Sequence, residues 1–218
     1  MNNPSIRFTV VLLLISAVSA GLLGWVNSIT APLIMQRAQQ DAILARQEVL
    51  PGADYYYPVK ESVLRELSKE VPLLQEVYVG LKGSQVVGYV FTTAPKGYGG
   101  DVVTMVGLKE NGLVQNVKVV SQNETPGLGS KVTENANPED FLGEKNLSRM
   151  REKGLNENIS LNKDGGSIQA VTGATISSRA VITGVNAARE TLKILKDRYQ
   201  ILSILDKENT TREEGGGK

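Results

Sequence analysis

The sequence predicts an α+β fold, a small antiparallel sheet with covering helices, preceded by one transmembrane helix. Three observations carry this expectation: an uncharged apolar run near the start, two hairpin signatures in the middle, and a long amphipathic helical pattern towards the end. The 218 residues suit one ordinary domain with an added segment, since single cores commonly take about 100–200 residues. A multidomain enzyme is not expected.

No charged residue occurs between Arg7 and Arg37, and residues 8–26 are apolar or small throughout. That run is about the length needed to cross a ~30 Å hydrocarbon layer. Residues 1–35 are therefore read as a membrane anchor, with residues 8–26 in the lipid bilayer and Trp25 at its interface. The rival is a cleaved signal peptide, because Val18-Ser19-Ala20 resembles a small-residue cleavage site. Apolar character continues through Leu22, Leu23 and Val26 to Leu33 and Ile34, so cutting after Ala20 would leave an apolar stump. The anchor explains the whole stretch better. Arg7 and the α-amino group on one flank face Arg37 and Arg46 on the other, so charge alone does not set the orientation.

Residues 36–58 read as a stalk. Ala38, Ile43, Ala45 and Val49 recur among polar residues in a helix leaving the membrane, stopped by Pro51-Gly52. A domain is expected over residues 59–205. It opens with a helix over residues 61–69, ending before Pro72. Residues 75–79 and 85–93 then flank Lys82-Gly83-Ser84, and residues 102–109 pair with 113–121 across Asn111-Gly112; both are hairpin signatures. Residues 138–150 are weakly helical. After a polar Asn/Gly stretch, a short strand over residues 167–171 leads into a helix from about Ser177. There Ala180, Val181, Val185, Ala188, Leu192 and Leu195 recur at helical spacing, and the pattern extends as far as Leu205. Residues 206–218, which include ENTTREEGGGK, are expected to be a disordered tail.

Composition narrows the chemistry. The sequence contains neither cysteine nor histidine, which removes thiolate nucleophiles, Ser/His and Cys/His catalytic pairs, most zinc sites, iron–sulfur ligation and haem attachment. No catalytic residue and no metal site is expected, and any redox role must use an organic cofactor. A formal charge of +1 offers no field that would draw in nucleic acid.

Three segments hold more glycine and hydroxyl than packing requires. In the first, Gly97-Tyr98-Gly99-Gly100 lies between two strands, where a β-turn explains the glycines as well as a ligand loop does. The second, Glu124-Thr125-Pro126-Gly127-Leu128-Gly129-Ser130-Lys131, would let backbone approach a flat ligand, with Pro126 stiffening its entry. As an isolated pattern, a structural loop is the simpler reading. The third, Thr172-Gly173-Ala174-Thr175-Ile176-Ser177-Ser178, sits at a strand-to-helix junction, where unpaired N–H groups and the macrodipole favour an anion. Thr175, Ser177 and Ser178 are all capable N-caps, and on these residues alone the cap is the simpler reading.

Taken in order, GYGGD, ETPGLGSK and TGATISS opening a helix, downstream of one membrane helix, resemble the FMN-binding G subunit of the Rnf ion-translocating electron-transport complexes. The sequence is also similar to the C subunit of the sodium-pumping NADH:quinone reductase, and its length favours the Rnf protein. In that family FMN is joined through its phosphate, as a phosphoester, to the last threonine of an S/T-G-A-T motif by a flavin transferase that uses FAD. That position here is Thr175. Two departures stand out: Gln169 lies where the family usually has an acidic residue, and Asn123 where a histidine often precedes ETPGLG.

The resemblance implies a membrane-anchored electron carrier in a ferredoxin:NAD oxidoreductase complex that exports sodium ions or protons. Its partners would be the other membrane subunits and the maturing transferase. Gly97 to Gly100 and Glu124 to Gly129 are the expected walls around the flavin, Lys131 a counter-charge, and Gly173 and Ala174 the small residues that admit the phosphate. Family topology implies a single-pass protein of the inner membrane with its domain on the extracytoplasmic side, where a covalent tether prevents loss of FMN. Two other classes compete: a cofactor-free membrane-anchored scaffold, and a flavin-binding sensor module, which needs a signalling domain beyond this length.

Overall fold

A computed structural model describes residues 4–200 and 204–205. The chain divides into two compact units, Met1–Ala42 and Ile43–Lys218. The first consists of most of one helix, α1 (Pro4–Val49), which carries Pro32 inside it. Its apolar side chains, among them Phe8, Leu12, Leu23 and Ile34, are exposed, and α1 is the one helix among the described residues long and apolar enough to cross a membrane. Ser28 Oγ donates to the Trp25 carbonyl (2.7 Å) and Thr30 Oγ1 to that of Val26 (3.0 Å). These two hydroxyls are thus satisfied within the helix itself.

In the second unit a five-stranded antiparallel meander runs in the order β1 (Tyr55–Pro58), β2 (Leu74–Lys82), β3 (Gln85–Thr93), β4 (Val103–Lys109), β5 (Val114–Ser121). The two expected hairpins are β2–β3 and β4–β5. Lys82 pairs with Gln85 across a two-residue turn whose Gly83 has φ +58°, and Gly112 turns the second hairpin with φ +86°. Both angles lie in the left-handed region that glycine enters without a side-chain penalty.

One face of the sheet is covered by α2 (Glu61–Glu70) and α4 (Thr175–Arg198). The alternate residues Val77, Val79 and Leu81 of β2, Tyr89 and Phe91 of β3, and Val106 and Leu108 of β4 point into this core. They meet Val181, Val185, Ala188, Leu192 and Leu195, the helical stripe of α4. A shorter helix, α3 (Glu144–Arg151), packs beside β5.

A second core on the opposite face corrects the stalk expected over residues 36–58. Helix α1 runs unbroken to Val49, and Ala45, Val49 and Leu50 are buried there with Tyr56, Val90 and Met105. Glycines make the seat: a Cβ at Gly80 would lie 2.6 Å from Leu50 Cδ2, and one at Gly107 would collide with the Val49 carbonyl. Arg46 lies 3.9 Å over the Tyr78 ring, Tyr56 OH donates to the Leu50 carbonyl (2.7 Å), and Lys118 pairs with Glu48 at 2.5 Å. Tyr55–Pro58, expected as the end of the stalk, is the edge strand β1.

Two further expectations change. Residues 167–171 form a single parallel bridge, Leu161 to Ile168, instead of a strand. The next residue, Gln169, directs its backbone N–H and C=O to the Asn146 side chain (2.9 and 3.0 Å), which replaces a ladder partner. The last helix, α4, ends at Arg198, and Leu205 returns to bridge Val59. The tail expected over residues 206–218 lies outside the described residues.

Candidate functional site

The three glycine- and hydroxyl-rich segments converge on one carboxylate. Glu124 is buried, 5% exposed. Its Oε1 accepts the backbone N–H groups of Tyr98 (2.9 Å) and Gly99 (3.0 Å), and its Oε2 accepts the Ser177 hydroxyl at 2.5 Å. One charged group therefore ties the turn after β3, the loop after β5 and the first turn of α4. Charge-assisted hydrogen bonds of this kind are the strong ones, and they offset the desolvation of the buried carboxylate.

This hub gives the glycines a different role from the one the sequence suggests. A Cβ on Gly97 would strike Glu124 Oε1 and one on Gly99 the Asn123 carbonyl, while one on Gly129 would sit 2.6 Å from Glu124 Oε2 and 2.8 Å from Ser177 Oγ. Gly97, Gly99 and Gly129 thus make room for Glu124, Asn123 and Ser177. Gly100 (φ +152°), Gly127 (φ +74°) and Gly173 (φ +81°) are the ones that require glycine's backbone freedom. The turn at Gly97 to Gly100 is closed by Gly97 N–H donating to the Gly100 carbonyl (2.7 Å) and by a Lys96–Asp101 ion pair (2.7 Å).

At the third segment Ala174 is the N-cap and no side chain caps α4. The expected caps act otherwise. Ser177 serves Glu124; Ser178, fully buried, accepts the Val171 N–H (3.0 Å) and donates to the Ala174 carbonyl (2.9 Å). Thr175 is left as the first helical residue, half-buried, with its hydroxyl free of a capping role. The first N–H groups of a helix have no partner inside it, so this end carries partial positive charge.

Thr175 faces an open cleft of about 480 Å³. Glu124, Thr125, Leu128 and Gly129 form one side, Gly173, Ala174, Ile176 and Ser177 another, and Tyr98 and Lys163 complete it. Tyr98, Leu128 and Ile176 are half or more exposed, so the rim is apolar around a polar floor. Most of these residues stand in the three sequence segments. Lys163 does not, and its Nζ donates to Thr175 Oγ1 at 3.0 Å. Lys163 stands in a short 3-10 turn, Asn162–Asp164. Next to it Asp164 makes a two-point ion pair with Arg179 of α4, at 2.7 and 2.9 Å. Hydrogen bonding to Arg179 holds the Asp164 carboxyl below the usual range, and the reverse contact raises the guanidinium, so both stay ionised near neutral pH. The polar stretch DGGS after Lys163 is the only local signal; its proximity to Thr175 comes from folding.

Lys131, expected as the counter-charge, and Thr172 line a different cleft of about 230 Å³ with Glu134, Glu139 and Asp140. Among the described residues no group of acids could hold a metal ion.

The cleft thus sets a hydroxyl at a helix start beside an ammonium and under an apolar rim. The family model described as "FMN-binding domain" matches residues 97–190, which contain all three converging segments and Lys163. The sequence is 35% identical over 192 residues to the G subunit of the Na(+)-translocating ferredoxin:NAD(+) oxidoreductase complex of Acetobacterium woodii, covering 83% of this chain and 87% of that one. It is 34% identical over 200 residues to the G subunit of the ion-translocating oxidoreductase complex of Yersinia pestis, covering 87% and 90%. Among solved structures it is similar to the C subunit of the Na(+)-translocating NADH-quinone reductase of Parabacteroides distasonis, with a TM-score of 0.47, 15% identity, and coverage of 72% of this chain and 95% of that one. The chain belongs to the family of G subunits of the ion-translocating oxidoreductase complexes.

Proposed function

We propose that this chain is a membrane-anchored electron-transfer subunit of an ion-translocating ferredoxin:NAD oxidoreductase complex, and that it carries FMN as a phosphoester on Thr175. The observation that carries this reading is the Thr175 hydroxyl, uncommitted to capping, at the positive end of α4 with the Lys163 ammonium 3.0 Å away. The donor set suits a phosphodiester: it needs one anchoring oxygen and positive charge but neither metal nor histidine. The rim residues Tyr98, Leu128 and Ile176 offer apolar surface to a ring system. When bound, FMN supplies the one- and two-electron chemistry that no side chain here can perform.

The polypeptide's part is to hold and to tune. Glu124 fixes the Tyr98 turn against the start of α4, so the cleft keeps its shape without relying on a ligand. Gly173, with φ +81°, turns the backbone beside the acceptor and leaves no side chain over it. The names and coverage of the relatives favour the ferredoxin:NAD complex over the quinone reductase.

The test is intact mass and in-gel flavin fluorescence of protein purified from its native membrane. Wild type should weigh as apoprotein plus FMN less one water and fluoresce after denaturation, and Thr175→Ala should lose both signals while remaining folded. A colourless wild-type protein would return the chain to the cofactor-free scaffold class. Flavin persisting in Thr175→Ala would move the attachment elsewhere.

A further inference from the structure

Lys163 is the cation facing the acceptor hydroxyl, and among the described residues no carboxylate neutralises it. Its sequence neighbour Asp164 gives both oxygens to Arg179. The other acid of the cleft, Glu124, is occupied by Tyr98, Gly99 and Ser177. An exposed lysine ordinarily samples many rotamers, yet this one springs from a pinned backbone: its N–H donates to Asn162 Oδ1 (2.9 Å), and the Asp164 N–H to the Leu161 carbonyl (2.9 Å). The Asp164–Arg179 pair then clamps the turn to the second helical turn of α4, one turn from Thr175.

We propose that Lys163 is the positioning and charge-pairing residue for the phosphoryl group joined to Thr175, a role that rests on the reading above. In that attachment Thr175 Oγ1 forms a bond to the flavin-side phosphorus of FAD. The bond from this phosphorus to the bridging oxygen breaks, AMP leaves with the electron pair, and the hydroxyl proton passes to water. Nothing is oxidised or reduced. An ammonium already bonded to Oγ1 stabilises negative charge as it develops on that oxygen and on the phosphoryl group. Afterwards it remains beside the single charge of the diester.

The experiment follows attachment over time by intact mass, using the full chain, a purified flavin transferase and FAD, with Thr175→Ala as the blank. Lys163→Gln should be labelled about tenfold more slowly or worse, as expected for loss of one charge-assisted hydrogen bond. Lys163→Arg, which keeps the charge, should recover to within about threefold of wild type. Arg179→Met keeps Lys163 but frees its turn, and should also slow labelling, which gives an arm independent of any folding defect in Lys163→Gln. Wild-type rates in Lys163→Gln, or an arginine variant as slow as the glutamine one, would overturn the proposal while leaving the FMN reading intact. An unlabelled wild type would overturn both.

Discussion

Glu124 is the residue on which the site's geometry depends, because three donors from the two other segments end on its two oxygens. Glu124→Ala would strand those donors and should cost about 2–3 kcal/mol, the scale of hydrogen bonds to a charged group with part of the loss recovered by water. Glu124→Gln keeps an oxygen for the amides and should lose only about 1 kcal/mol. Denaturant melts of the two variants measure this, and an alanine variant as stable as wild type would remove Glu124 from its central place. Thr175 and Glu124 are legible in the sequence because both lie in ordered, glycine-marked motifs. The cation beside Thr175 is not: Lys131 closes the second motif but lines another cleft, whereas Lys163 stands outside all three motifs and meets Thr175 through folding, its turn held to α4 by the Asp164–Arg179 pair. Gly99 and Gly129 are legible as positions that tolerate no side chain, but what fills the space is protein, Asn123 for one and Glu124 with Ser177 for the other.

At the scale of elements, the hairpins and α4 can be read because turn chemistry and helical period are local. β1 cannot. Its four residues follow Pro51-Gly52 and look like the tail of a stalk, and only pairing of Tyr55 with Leu81 through Pro58 with Tyr78 makes them a strand. The end of α1 is hidden for a related reason: Ala45, Val49 and Leu50 show a helical stripe, but its partner is a row of glycines, Gly80, Gly88 and Gly107, on three different strands. A test follows from that packing. A chain beginning at Ile43 should fold as a soluble domain, while one beginning at Pro51 loses Ala45, Val49 and Leu50 from the second core. The shorter chain should be less stable by about 3–5 kcal/mol, the burial of one Val and one Leu with a small contribution from Ala. Thermal or urea melts of the two chains decide it, and equal stability would mean that this core is dispensable.

For the molecule as a whole, the orientation of the proposed membrane anchor is the property that charge does not decide. Arg46 is buried, 8% exposed, and stacks on Tyr78, so it belongs to the folded domain and drops out of the juxtamembrane count. Arg7 then faces Arg37 across the apolar run, one arginine on each flank, with the α-amino group added on the Arg7 side. The proposed cofactor chemistry supplies the missing argument. A phosphoester on Thr175 is of most use where FMN, once lost, could not be replaced, and that is the extracytoplasmic side. The uncharged run from Phe8 onwards predicts that the protein stays in the membrane pellet after a carbonate wash. Protease added to intact, wall-stripped cells should digest residues 59–205 and leave the anchor, and permeabilising the cells should add nothing. Protection of the domain in intact cells, with digestion only after permeabilisation, would place it in the cytoplasm and leave the covalent tether without this rationale.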